Sequence, residues 1–356
     1  MPEIILPSSK GEKREEELKA FAEAIKETSA QIGFKVSARG WCYHAEGIRL
    51  INKDQFDLVE NLINQCRKEG YLPVDFTADE EGRKFSGVER PEKITPEQKQ
   101  LDYLKMDLRV EEIYTPDWWK GEKYYIQMLV EKIDLKSLFE PVCREYKIPI
   151  STSKGWSSIL QRAEYARRFK QAEDDGLKCV LLYCGDFDPD GQRISEFIKN
   201  NLDDIQNIVW EDGMEGYDPS NLLIDRFGLN YDFIIANQLT WIDNLITGSG
   251  KNLASPSHKN HHMSYVQEYL RTIGERKCEA NAIVRRTQEG RELCRQAIEK
   301  YLGRNAHTRF RRKRQAVRDR LQAFRERTGL QEAIESAIRI IEEDAEQNEG
   351  NEERDE

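Results

Sequence analysis

The chain has 356 residues and a mass of 41.6 kDa, 38% hydrophobic and 34% charged, which is room for two domains with cores of their own. No apolar run approaches the ~20 residues that cross a bilayer, and the opening MPEIILPSSKGEKREEE turns polar too early for a signal peptide, so a membrane protein is not expected and a cytoplasmic location is. The net charge of −10 is unevenly spread: residues 341–356 hold nine acids against Arg354, whereas residues 304–327 hold ten Arg/Lys against two acids.

A basic helix before an acidic tail is common in proteins that handle nucleic acid, although a solvated helix with a loose end explains it equally well. Seven cysteines stand at 42, 66, 143, 179, 184, 278 and 294, with no CxxC pair. That pattern suits reduced intracellular thiols and neither a zinc site nor a disulfide framework.

In chain order, residues 14–29 predict an amphipathic helix with Leu18, Phe21 and Ile25 on one face. Helices are expected over 37–46 and 53–68, the latter ended by Gly70 before an extended Tyr71–Val74. Three helices and an extended turn fit a winged-helix unit over 1–76. Residues 77–121 form a charged, weakly periodic connector. Strands are then predicted at Tyr124–Val130, Lys147–Ile150 and Lys178–Cys184, and further ones at Asn207–Trp210 and Phe233–Ala236. Helices over 134–146 and 156–174 separate the first three, and one over 191–200 follows the third. The alternation implies an α/β domain over 122–303 with a mainly parallel, Rossmann-like sheet. From 264 onward the pattern is helical, with a basic extension over 304–340 and an acidic, disordered tail over 341–356.

Glu131 directly follows YYIQMLV, and Asp186, Asp188 and Asp190 follow KCVLLYC in the string CGDFDPDGQ. Sites of parallel sheets form at the carboxyl ends of strands. Acids gathered there repel one another unless a cation neutralises them, and Mg²⁺ is a hard ion suited to carboxylates and phosphate. The plainer alternative is an Asp-rich turn capping a helix, with Glu131 a surface acid.

The strand-end Glu followed by DxD resembles the TOPRIM fold. More narrowly, VEK at 130–132, TSKGW at 152–156 and GDFDPDG at 185–191 resemble the A subunit of topoisomerase VI, a type IIB topoisomerase, and the related meiotic double-strand-break proteins. The resemblance implies Glu131, Asp186 and Asp188 as Mg²⁺ ligands assisted by Asp190, and Lys154 close to the site. It also implies a CAP-like winged helix carrying a nucleophilic tyrosine in an R-x-x-x-Y pattern, matched by Arg39 and Tyr43. Residues four apart share a helix face, so Arg39 is placed to hold a phosphate beside Tyr43. For Tyr43 the alternative is an ordinary core aromatic. Partners implied are double-stranded DNA, a second copy of the chain that offers its acids to Tyr43, and an ATPase B subunit.

The match spans roughly residues 30–300. Only about 40 residues precede Tyr43, Cys42 stands where an aromatic is frequent, and residues 245–263 match nothing in the pattern, so a short stand-alone mini-A form is expected. The function implied is Mg²⁺-dependent DNA cleavage giving a 5′-phosphotyrosyl link. A hydrolytic TOPRIM nuclease and a non-catalytic DNA-binding architectural protein remain open. In any of these, Arg309, Arg311, Arg312, Lys313 and Arg314 are expected to meet DNA. His258, His261 and His262 are expected to be solvated, and Trp118 and Trp119 to serve packing. The metal reading requires the Glu131 carboxylate to approach those of Asp186 and Asp188, free of ion pairs with Lys or Arg.

Overall fold

The structure, a computed structural model, describes residues 2–8, 11–73, 75–78, 92–153, 159–246 and 251–352. Lys154 lies outside the described residues. Two compact units make up the chain: Met1–Glu81 with Gly121–Gly303, and Gly82–Lys120 with Arg304–Glu356.

The first unit begins with α1 (Glu12–Ile32), α2 (Ala38–Gly47) and α3 (Phe56–Lys68). Leu18, Phe21 and Ile25 of α1 share one apolar core with Trp41 of α2 and with Val59 and Ile63 of α3. Ser37 caps α2, its Oγ accepting from the Gly40 N–H at 3.0 Å. Among the described residues of this segment no strand pair forms a wing; a single bridge joins Ser37 to Ala78. Next in the chain, α4 (Pro96–Asp107) and α5 (Val110–Ile113) belong to the second unit.

The sheet contains β1 (Tyr124–Val130), β2 (Ile150–Thr152), β3 (Lys178–Cys184) and β4 (Leu223–Gly228), in the order β2-β1-β3-β4 and all parallel. Parallel neighbours need long crossovers, and α6 (Ile133–Glu145) and α7 (Ile159–Asp174) lie within them. The result is a Rossmann-like α/β arrangement. β1 and β3 pair over their full length, from Tyr124 opposite Lys178 to Val130 opposite Cys184. Both are buried almost throughout, which is why their sequences read as continuous apolar runs. Gln127 is the polar exception: fully buried, it donates to the Tyr165 carbonyl at 3.0 Å and accepts from Arg168 Nε at 2.7 Å.

Three strand expectations need correction. The strand near 147–150 begins only at Ile150, because Lys147 turns the chain with φ 60°. At 207–210 only Val209 makes a bridge, to Glu215. Phe233–Ala236 falls in a short helix, reached after α8 (Pro189–Gln192) and α9 (Ile194–Asp203): α10 (Tyr231–Ala236), of which Ile234 alone is buried. The fourth strand is β4 instead. Asp225 and Arg226 interrupt its apolar pattern, and Asp225 is neutralised by Lys300 at 2.6 Å. The unit closes with α11 (Ser264–Thr272) and α12 (Thr287–Leu302).

Residues 1–76 and 122–303 form one unit because a buried carboxylate joins them. Asp134, at the start of α6, accepts from the Ser37 N–H at 2.8 Å, from Ser37 Oγ at 3.2 Å and from Asn281 Nδ2 at 3.1 Å. Arg285 Nη1 donates to the Gly47 carbonyl at 3.0 Å, and Val284 enters the core of the three helices.

In the second unit, α13 (Ala306–Thr328) and α14 (Leu330–Glu352) join α4 and α5. Trp118 and Trp119 pack against Phe310, with ring centroids 5.7 and 6.4 Å away. Arg314 Nη1 donates to the carbonyls of Glu111, Glu112 and Tyr114 at 2.7, 3.0 and 3.2 Å, satisfying the open end of α5. The tail expected to be disordered is helical as far as Glu352. Ile334, Ala337, Ile338 and Ile341 form its less exposed stripe, and Glu342 pairs with Lys105 of α4 at 2.8 Å.

Gly40 sits where α2 crosses Asp134. A Cβ there would overlap the Asp134 carboxylate and stand 2.6 Å from Val36 Cγ1. Alanine normally favours a helix over glycine by about 1 kcal/mol, but the crowding costs about 1–3 kcal/mol. Gly40→Ala is therefore expected to lower the urea midpoint; a midpoint at or above wild type would show that Asp134 does not hold α2 this closely.

Candidate functional site

The full-length pairing of β1 and β3 continues past their ends. The Glu131 N–H donates to the Cys184 carbonyl at 3.0 Å, and Glu131 Oε2 accepts from the Asp186 N–H at 2.7 Å. The two acids are thus held side by side at one edge of the sheet. Asp186 Oδ1 accepts from the Ala280 N–H at 2.7 Å. Arg226 braces the turn from below, donating to the carbonyls of Asp186 and Gly191, each at 2.9 Å.

A lysine stands between the acids. Lys132 Nζ lies 2.9 Å from Glu131 Oε1, 3.1 Å from Asp186 Oδ2 and 3.5 Å from Glu279 Oε2. Glu279 in turn receives Lys277 at 2.8 Å and Lys53 at 3.1 Å on its Oε1. Burial opposes ionisation of Glu279, yet Lys132, Lys277 and Lys53 outweigh it and hold the carboxyl below the usual range. For Lys132, burial is outweighed by Asp186, Glu131 and Glu279, which hold its ammonium firmly protonated. Asp186 moves the other way: burial, Glu131 and Glu279 push its carboxyl well up against the pull of Lys132.

The other two acids are engaged differently. Asp188 is the N-cap of α8, its Oδ1 accepting from the Gly191 N–H at 2.6 Å. Burial raises its carboxyl, opposed by that hydrogen bond. Asp190 accepts from the Tyr265 hydroxyl at 3.0 Å. The helix-capping alternative therefore describes part of what Asp188 does.

Helix α2 supplies the opposite wall. Tyr43 packs edge-on against Phe56 at 5.0 Å, and its ring faces Lys132 Nζ at 5.5 Å. Arg39, one turn earlier, lies over the same Phe56 at 5.0 Å and 3.7 Å from Glu60. Burial and Glu279 raise the Tyr43 phenol, with Lys132 and Arg39 opposing. Cys42 is buried, its thiol pushed up to about 12 by burial, so it offers no thiolate at neutral pH.

Together these groups line a cleft of about 920 Å³. Arg39 and Tyr43 meet Glu131, Asp186, Asp188 and Asp190 there, within one chain. Lys53, Lys132, Lys277, Glu279 and Tyr265 also line it, and sequence reasoning gave none of the five a role. The only signal for Lys132 was its place beside Glu131. For Lys277 and Glu279, the string RKCEA gives no sign that it returns to the strand ends. Compared with family models, curated proteins and solved structures, the chain matches none.

The donors are hard oxygens, the right kind for Mg²⁺, but their arrangement does not fit it. A Mg²⁺–oxygen distance is about 2.1 Å, whereas the oxygens surround an ammonium at 2.9–3.5 Å. Among the described residues no group of three His, Cys, Asp or Glu is placed to hold a metal. Glu131 and Asp186 meet on the Lys132 ammonium, so neither is free of ion pairs.

The proposed DNA-contacting residues of the basic helix divide. Lys313 donates to the Trp118 carbonyl and Arg314 caps α5, so both are spent on internal structure. Arg309 is half-buried, while Arg311 and Arg312 are exposed. His258, expected to be solvated, is buried, with Nδ1 accepting from the Asn260 N–H at 3.1 Å.

His44, next to Tyr43, is buried edge-on to Trp41 and brought down to about 4 by burial and by Arg285. Its folded value lies below the unfolded value of about 6.5. The associated stability is therefore present above pH 6.5 and lost as pH falls towards 4. Unfolding free energy is expected to drop by about 2 kcal/mol between pH 7 and pH 5, and His44→Gln to remove most of that dependence. An unchanged slope in the variant would refute the buried neutral imidazole.

Proposed function

We propose that the chain is a DNA-cleaving protein of the topoisomerase VI A-subunit type, with a TOPRIM-like acid cluster and Tyr43 as nucleophile. One observation carries the reading. Lys132 Nζ simultaneously faces the Tyr43 ring and contacts Glu131 and Asp186, so residues far apart in sequence form a single cluster.

In this reading the exposed Arg39 supplies positive charge to a phosphodiester entering the cleft, while Lys53, Lys132 and Lys277 neutralise the acids. The Tyr43 oxygen bonds to phosphorus, the bond from phosphorus to the 3′-oxygen breaks, and that oxygen takes up a proton. The strand is left with a 5′-phosphotyrosyl link and a free 3′-hydroxyl, and the reverse step reseals it. The raised phenol is protonated at neutral pH, so its proton leaves as the attack proceeds. Two copies of the chain acting on opposite strands would yield a double-strand break.

The ion pairs of Lys132 also favour a second reading, a DNA-binding protein without turnover. Exposed Arg311, Arg312, Arg318 and Arg320 on α13 would then supply the phosphate contacts, and binding would weaken steeply with salt.

Incubation with end-labelled duplex and Mg²⁺, followed by denaturation with detergent, separates these readings. A labelled adduct is expected from wild type, none from Tyr43→Phe, and a loss of about 10²-fold or more from Asp186→Ala. Adducts surviving Tyr43→Phe would exclude this nucleophile. Breaks without adducts would point to hydrolysis, and binding without breaks to the second reading.

A further inference from the structure

The cleft of the acid cluster also has an aromatic side that the chemistry at Tyr43 does not use. Helix α9 follows the turn that carries Asp188 and Asp190, and its Ile194 and Phe197 line the cleft. Phe197 is 50% exposed. A single exposed aromatic ordinarily needs no explanation, but this one is backed by planar groups that are themselves held. The Arg193 guanidinium lies 5.9 Å from the Phe197 ring centre and 4.6 Å from that of Tyr265. Glu196 holds Arg193 at 2.6 Å, and Asp190 accepts from the Tyr265 hydroxyl at 3.0 Å. The aromatic side is therefore built in advance, and little side-chain freedom is left to lose on binding. Asn260 lines the same cleft, and among the described residues its carboxamide makes no hydrogen bond. A donor and an acceptor are thus left for the edge of a ligand.

We propose that Phe197 is the stacking surface for one unpaired nucleobase, so that the DNA entering this cleft is melted at that position. The proposal rests on the DNA-cleaving reading and names its substrate class. Size points first to a base. At about 920 Å³ the cleft falls in the range that holds one small molecule, which suits about one or two nucleotides and not a duplex. Charge points the same way. Among the described residues six acidic side chains line the cleft against four basic ones, so attraction of phosphate alone gains little there. A base carries no charge, and every base offers a face that stacks on an aromatic ring. Proteins that work on single nucleotides take the base out of its stack and hold it in this manner. Arg39 and Tyr43 come from α2 and Phe197 from α9, so different elements hold the phosphate and the base.

Fluorescence anisotropy of the full-length protein in EDTA, which separates binding from cleavage, tests the subsite. Three labelled probes of one sequence are compared: a paired duplex, the same duplex with a short mismatch bubble, and that bubble with abasic sites. Wild type is expected to bind the bubble about tenfold more tightly than either other probe. Phe197→Leu, which keeps an apolar side chain without the ring, is expected to remove that preference, and Phe197→Trp to retain it. Equal binding of the three probes by wild type, a preference that survives Phe197→Leu, or its loss in Phe197→Trp would overturn the stacking subsite. Each of these results leaves the Tyr43 adduct intact. Failure of the DNA-cleaving reading has a different signature: no covalent adduct from wild type, whatever the probe preference.

Discussion

The arrangement of this cleft depends on gathering three carboxylates, two of them buried, without stranding their charge. Asp186 and Glu279 are almost fully enclosed, and an isolated ionised carboxylate in such surroundings is strongly unfavourable. The fold answers with Lys132 at the centre, Lys277 and Lys53 behind Glu279, and backbone N–H groups on Asp186 and Glu131. Removing any one partner would leave the others with uncompensated charge, so the cluster behaves as a unit.

That unit sets the relation between the helices and the sheet. Asp134, four residues past the end of β1, ties the start of α2 to the start of α6. The same anchor sets how far Arg39 and Tyr43 stand from the strand ends. Asn281 shares the carboxylate, and its neighbour Ala280 donates to Asp186. The segment 277–281 therefore connects the acid cluster to the base of the tyrosine-bearing helix. In the family that the sequence resembles, the tyrosine meets acids of a second subunit; here it lines the same cleft as the acids of its own chain.

The second unit shows how a charge run can mislead. Ten basic residues in 304–327 suggest a uniform phosphate-binding surface. Arg314 and Lys313 instead satisfy carbonyls around α5 and Trp118, while Arg311 and Arg312 face outward. Composition counts these side chains alike, although half-buried guanidinium groups closing a helix end are unavailable to solvent.

The sequence by itself determined β1 and β3, because strands buried on both faces must be continuously apolar, and it placed Glu131 and Asp186 at their carboxyl ends. It also determined the first three helices through their apolar spacing. It missed β4, whose Asp225 and Arg226 find partners only in the folded chain, and it took the apolar FIIA of α10 for a strand because four residues carry no decisive period. Only the tertiary structure decided that Lys132 points between the acids, that Glu279 returns to them from far along the chain, and that Tyr43 faces the same cleft. Periodicity records which face of an element is buried; which charged groups meet across elements depends on packing distances that no local pattern encodes.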